Sequence, residues 1–259
     1  MVTLDKNLLS SDVSENKKRQ RIRKYFFGKL KWKYPIALLV IALLILFFSS
    51  EFEYGLLFLI AGGCWLFFEV KSIRSSPGDK GIDAWLIEDI NYLKERSLQR
   101  LNIDQQELIR ESIVIRSPVL WDTRGVPTKE IAWKKGKDKV TRFSINAITI
   151  IHLTEHKLSS YQCVHNFIKG VPLNEKDDEF HYRDVVAVST RDISTNYSLP
   201  DRALMKHGQL FKLSVSSGDS VEAIVSSDDL VKFTGGTLPD TGVDGAVKAL
   251  RKVLSEKKI

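Results

Sequence analysis

The chain of 259 residues carries 39 Lys and Arg against 32 Asp and Glu, a formal net charge of +7, and is 43% hydrophobic with two cysteines. That composition excludes a disulfide-built secreted scaffold and a wholly disordered chain. Residues 1–34 hold ten bases and three acids, an excess equal to that of the entire chain, so residues 35–259 are neutral in sum and nucleic acid is not an expected partner.

Residues 1–24 are too poor in apolar side chains to fold alone and read as a mobile arm. From Tyr25 to Tyr34 aromatic residues alternate with lysines, a pattern suited to an interface where rings sit among headgroups. Lys24, Lys29, Lys31, Trp32 and Lys33 are therefore the expected contacts to anionic lipid, and residues 1–33 form one segment.

Residues 34–70 hold two apolar runs, Pro35 to Phe48 and Tyr54 to Phe68, joined by Ser49-Ser50-Glu51-Phe52-Glu53. With flanking residues each run reaches about 17 residues, the lower end of what a bilayer span requires, so the sequence predicts a transmembrane helical hairpin. The basic flank and acidic turn orient it with both termini in the cytoplasm, as a multi-pass protein of the cell inner membrane. Gly55, Gly62 and Gly63 permit close helix approach, either within the hairpin or between copies in a homo-oligomer.

Residues 71–111 open on a break at Ser75-Ser76-Pro77-Gly78-Asp79. Ile82, Leu86, Ile90, Leu93, Ser97 and Leu101 then recur at helical spacing, predicting an amphipathic helix that needs a partner for its apolar stripe. Asp104-Gln105-Gln106-Glu107 has the form of a capping box before a short helix ending near Ser112.

From residue 112 to 259 the period changes. Runs rich in β-branched and aromatic residues at 113–115, 119–121, 131–133, 143–153, 158–168, 180–190, 210–216 and 221–225 predict six to eight antiparallel strands. A closing helix over 240–257 has Val243, Val247, Leu250 and Leu254 on one side. If Glu155-His156-Lys157 is the turn of the central hairpin, Thr149 lies opposite Cys163 and Ala147 opposite His165; both faces are apolar, so the pattern itself does not forbid a one-residue slip.

A sheet of about seven antiparallel strands capped by a C-terminal amphipathic helix resembles the pleckstrin-homology-like (PH-like) fold. Phe180-His181-Tyr182-Arg183-Asp184-Val185-Val186-Ala187-Val188 is similar to an Asp-Ile/Val-x-x-Val strand of bacterial PH-like domains, some of which are membrane-tethered. The resemblance covers residues 112–257 and implies an exposed sheet edge and loops for binding. No Trp follows Trp133, so the helix lacks the Trp that many PH domains carry there, and a lipid-headgroup specificity does not transfer. The fold class expected is α+β: a transmembrane hairpin, an amphipathic helix, and a PH-like β-barrel or sandwich with a capping helix.

Chemistry-bearing residues do not converge. His152, His156, Cys163 and His165 have the types of a zinc site, but the register above puts Cys163 and His152 on opposite faces and His156 in the turn. Asp122, Glu130 and Lys134 lack the spacing of a metal-dependent nuclease. Asp177-Asp178-Glu179 reads as a solvated loop, and Thr234-Gly235-Gly236-Thr237 lacks the Lys of a phosphate-binding loop. No catalytic, cofactor or metal residue is assigned. Lys134, Lys135, Lys137, Lys139 and Arg142 form a basic strip that could hold an anion.

The expected function is thus a membrane-anchored, non-catalytic binding or scaffold module that recognises a protein or anionic lipid and assembles a complex. The alternative is an oligomerising membrane effector or sensor whose hairpin rearranges to permeabilise the bilayer.

Overall fold

The computed structural model describes residues 2–28, 33–48, 52–74 and 77–257. They form six α-helices and three sheets, an α+β chain that divides into two compact units, Met1–Gly78 and Asp79–Ile259.

The first unit is helical: α1 (Val2–Phe27), α2 (Lys33–Phe48) and α3 (Phe52–Arg74). Where a mobile arm was expected, α1 runs unbroken. Its sequence holds no Gly or Pro, it is rich in Lys and Arg, and Arg19 pairs with Glu15 one turn back at 2.5 Å. The Gly28 N–H closes it on the Lys24 carbonyl at 2.8 Å. Helices α2 and α3 are antiparallel, with Leu46 against Gly55, Leu39 against Gly62, and Tyr34 stacked on Trp65. A Cβ at Gly55 would lie 2.7 Å from Leu46 Cγ, so glycine sets the distance of approach.

The predicted transmembrane hairpin is overturned. Among the described residues no helix is long and apolar enough to cross a membrane. The reason is length: α2 has 16 residues, about 24 Å at 1.5 Å per residue against a hydrocarbon core of about 30 Å. Helix α3 has 23 residues, but Glu53 and Glu69 confine its uncharged stretch to Tyr54–Phe68, about 22 Å. The two-span membrane partner, the membrane anchoring of the β-rich half and the multi-pass inner-membrane location fall with it.

The second unit begins with α4 (Asp79–Leu101), close to the predicted bounds. The capping box is present, with the Asp104 N–H donating to the Glu107 carboxylate at 3.1 Å, but it starts only a 3-10 turn, Gln105–Glu107. Four strands then form one antiparallel sheet in the order β1 (Ile113–Pro118), β4 (Ile145–Leu153), β5 (Lys157–Asn166), β6 (Val171–His181). A small hairpin, β2 (Trp133–Lys135) and β3 (Thr141–Phe143), is inserted after β1, and the run at 119–121 is not a strand. The second sheet is the meander β7 (Val185–Ser198), β8 (Leu204–Val215), β9 (Ser220–Ser226), followed by α5 (Asp228–Thr234) and α6 (Val243–Lys257).

The β4–β5 register is one residue off the expected one: Ile148 pairs with Cys163 and Thr149 with Gln162. The turn causes this. The Thr154 N–H donates to the Lys157 carbonyl at 3.0 Å, leaving two residues in the loop rather than three. As a result Ile148, Ile150, Tyr161 and Cys163 face α4 and pack with its Leu93 and Leu101, while Ile151, Leu153 and Leu158 face inward. The inner core joins both sheets to α6 through Phe211, Leu213, Val247 and Leu250. A second cluster fills the other end, with Ile145, Leu199, Met205 and Leu230.

Candidate binding surface

Two of the four margins of the two main sheets are closed. Strand β9 lies beside β1, and the β1 margin is further occupied by the Arg116 N–H bonding the Thr241 carbonyl at 2.9 Å. Among the described residues, strands β6 and β7, joined by the 3-10 turn Tyr182–Asp184, each pair on one side alone and leave the sandwich open between them.

These open margins differ in chemistry. Strand β6 carries Pro172, Glu175, Lys176, Asp177, Asp178 and Glu179, the charge and proline that discourage strand addition. Its acids also bind α4: Glu175 accepts from Arg96 Nε at 2.7 Å and Nη2 at 2.9 Å, and Asp177 accepts from Arg100 Nε at 2.9 Å. Strand β7 has 14 residues, no Pro, and only Arg191 and Asp192 as charges. Its Val188 carbonyl accepts from Arg251 Nη2 of α6 at 3.2 Å, so that carbonyl points away from β8. Backbone groups alternate in direction along an antiparallel strand, so the N–H and C=O of Thr190, Asp192 and Ser194 point the same way, beyond the helix. All three residues are exposed.

Beside this margin, where the β7–β9 meander outruns the core, lies a cleft of about 440 Å³ lined by Asp192, Ser194, His207, Gln209 and Asp228. Its wall is fixed by α5. Ser227 Oγ donates to the His207 carbonyl at 2.6 Å and accepts from the Leu230 N–H at 3.4 Å. Asp229 accepts from the N–H groups of Lys206 and His207 at 2.8 and 2.9 Å, which hold its carboxyl below the usual range.

The basic strip is not gathered into one cradle. Arg142 is 7% exposed and bonds both Asp83 (2.6 and 2.8 Å) and Asp138 (2.7 and 3.0 Å). Lys135 Nζ donates to the Gly235 carbonyl at 2.5 Å; Lys134 is opposite Arg142 across the hairpin, on the other face from Lys135. Lys137 donates its backbone N–H to Asp79 at 2.8 Å, and Lys139 holds a positive φ of 65° in the turn. Of the expected lipid contacts, Lys24 lies in the last turn of α1 and Lys33 opens α2; Lys29, Lys31 and Trp32 lie outside the described residues.

The buried histidines share the α4 side of the sheet, contrary to the expected register, but they do different things. His152 is fully buried between Ser97 Oγ (2.7 Å from Nε2) and Ser112 Oγ (2.8 Å from Nδ1). Ser97 spends its proton on the Lys94 carbonyl, so it accepts from Nε2–H, and Nδ1 accepts from Ser112. Burial, with Lys94 nearby, pushes the imidazole down to about 4, too weak a base to activate the Ser112 hydroxyl near neutral pH. His165 lies 2.9 Å from Asp89, both almost wholly buried beneath α4. Burial raises the Cys163 thiol to about 12, which leaves it unreactive. Among the described residues no group of three or more His, Cys, Asp or Glu could hold a metal. Asp177, Asp178 and Glu179, expected in a loop, lie within β6.

The sequence reading missed the edge of β7. It ended that strand at Thr190, and the only signal beyond was the spaced Ile193, Thr195 and Tyr197. Comparison with protein-family models, with curated proteins and with solved structures gives no match.

Proposed function

We propose that the second unit is a non-catalytic protein-binding module of PH-like architecture that accepts an extended segment of a partner as an added strand along β7. The PH-like reading is supported by the order of elements: a four-stranded and a three-stranded antiparallel meander with a C-terminal helix packed into the core between them. The binding reading rests on the contrast between the two open margins. A long edge strand without proline and with little charge presents a ladder of free backbone groups, and natural sheets blunt such edges unless they are used. Main-chain bonds would supply affinity, and the adjoining cleft a place for a partner side chain.

The test uses the full chain to select binders from a random-peptide display library. A selected peptide should slow hydrogen exchange at Thr190, Asp192 and Ser194. Thr190→Pro removes one outward N–H at a position where an edge tolerates proline, and should abolish binding while leaving the thermal transition in place. Protection confined to another surface, or unchanged binding by Thr190→Pro, would overturn the reading.

A further inference from the structure

We infer that the α2–α3 hairpin is an interface between copies of this chain, one of its apolar flanks covered by the same hairpin of a second molecule. The observation is the amount and placement of apolar side chain left bare. On α2, Val40, Ile41, Leu43 and Leu44 are each close to half exposed; on α3, Leu57, Ile60, Phe67 and Phe68 are 57–65% exposed. Tyr54, Leu56 and Trp65 add to them at 44–60%. At roughly 100 Å² apiece these side chains expose on the order of 1,000 Å² over the two flanks, about half on each, so two flanks packed together bury about 1,000 Å² in total, the size of a weak complex that dissociates on dilution.

The character of the surface selects the occupant. After Lys33 no charged residue occurs in α2, and none occurs in α3 between Glu53 and Glu69. A partner must therefore offer an uncharged apolar surface of matching length, about 22–24 Å, and no charge complementarity directs a foreign protein to it. The hairpin itself has that length and that character. Packing side chain into groove between two hairpins makes a four-helix arrangement that removes one flank of each from water. Gly63 lies on the exposed side with nothing within 4 Å of where a Cβ would be, a notch open to a side chain from the other copy.

Sedimentation velocity of the full chain, free of lipid and detergent, should give a dimer or larger species that dissociates on dilution. Leu57→Glu and Phe67→Glu should return it to monomer with the β-rich unit still folded. Cys64, exposed on α3 beside Ile60 and Phe67, gives a second readout on the unaltered protein, because the other thiol, Cys163, is buried. Its alkylation by a maleimide should slow about tenfold or more between dilute and concentrated protein, in step with the fraction assembled. A monomer at all concentrations, assembly that survives both substitutions, or Cys64 labelling independent of concentration would overturn the inference. So would flotation of monomeric chain with phosphatidylcholine vesicles, which would assign the surface to lipid.

Discussion

Replacing Glu175 by Gln should loosen α4 from the sheet, and the structure sets the size of the effect. The carboxylate is 17% exposed; it takes both prongs of the Arg96 guanidinium at 2.7 and 2.9 Å and the Tyr161 hydroxyl at 2.6 Å. Gln keeps one acceptor and turns an N–H₂ toward the guanidinium, so one charge-assisted bond is lost and the ion pair with it. Such bonds contribute about 1.5–3 kcal/mol each and the partial exposure of Arg96 reduces the ionic share, which gives about 2 kcal/mol. For a unit of this size that is a fall in Tm of roughly 4–8 °C. The Arg96 bond first, and the Tyr161 bond with it, hold the Glu175 carboxyl down to about 2 from an ordinary 4.5. A depressed carboxyl stabilises the fold fully above its unfolded value and loses that contribution as pH falls toward its folded value. The difference in Tm between wild type and Glu175→Gln should therefore be constant from pH 8 to 5, narrow below about 4.5, and close near pH 2. Circular dichroism melts of both proteins across that range measure it. A gap that keeps its full size at pH 2.5, or that is absent at pH 7, would refute the assignment of α4 anchoring to this carboxylate.

Leu93→Ala empties a fully buried position between α4 and the β4–β5 face and should cost about 2–4 kcal/mol in denaturant unfolding, whereas Tyr92→Ala on the exposed side should cost under about 0.5. His152 should stay neutral from pH 8 to 5, with nitrogen NMR shifts of the Nε2–H form; its lowered value makes it destabilising only as pH falls from about 6.5 toward 4. Gly242 has φ of 75° and a Cβ there would meet the Val114 carbonyl oxygen at 2.7 Å, so Gly242→Ala should displace the segment closing the β1 margin and lower stability by about 2 kcal/mol or more.

What could be read from the sequence follows from where each signal originates. Helix α4 was legible because its apolar side chains repeat on one stripe and Pro77-Gly78 marks its start. The strands of the two cores were legible because β-branched runs such as Ile145 to Leu153 need burial on both faces. Strand β6 was not, since Asn174-Glu175-Lys176-Asp177-Asp178-Glu179 has almost no β propensity. It is held in place by cross-strand pairing to β5 and by the arginines of α4, and both of those are tertiary facts. The hairpin was legible as a pair of antiparallel helices, but its reading as two spans counted flanking residues into each run, whereas α2 ends at Phe48 and Glu53 and Glu69 bound the uncharged stretch of α3.

The one-residue slip in β4–β5 bears most directly on the site. With alternation apolar on both faces, the register depended on whether the loop held two residues or three, and Thr154 decides that through its side chain as well as its backbone: Oγ1 accepts from the Lys157 N–H at 3.2 Å. The two-residue loop turns His152, Cys163 and His165 together toward α4. There the spacing along the strands, about 3.4 Å per residue, still separates His152 from the Cys163 position by four residues, roughly 14 Å. Each histidine consequently takes its own partner from α4, Ser97 for one and Asp89 for the other, and the polar groups that composition suggested as a metal site instead fasten the helix to the sheet. With that face of the first sheet covered, with β1 closed by Thr241 and β6 guarded by charge and proline, the proposed strand addition has the edge of β7 as its place among the described margins of the two main sheets.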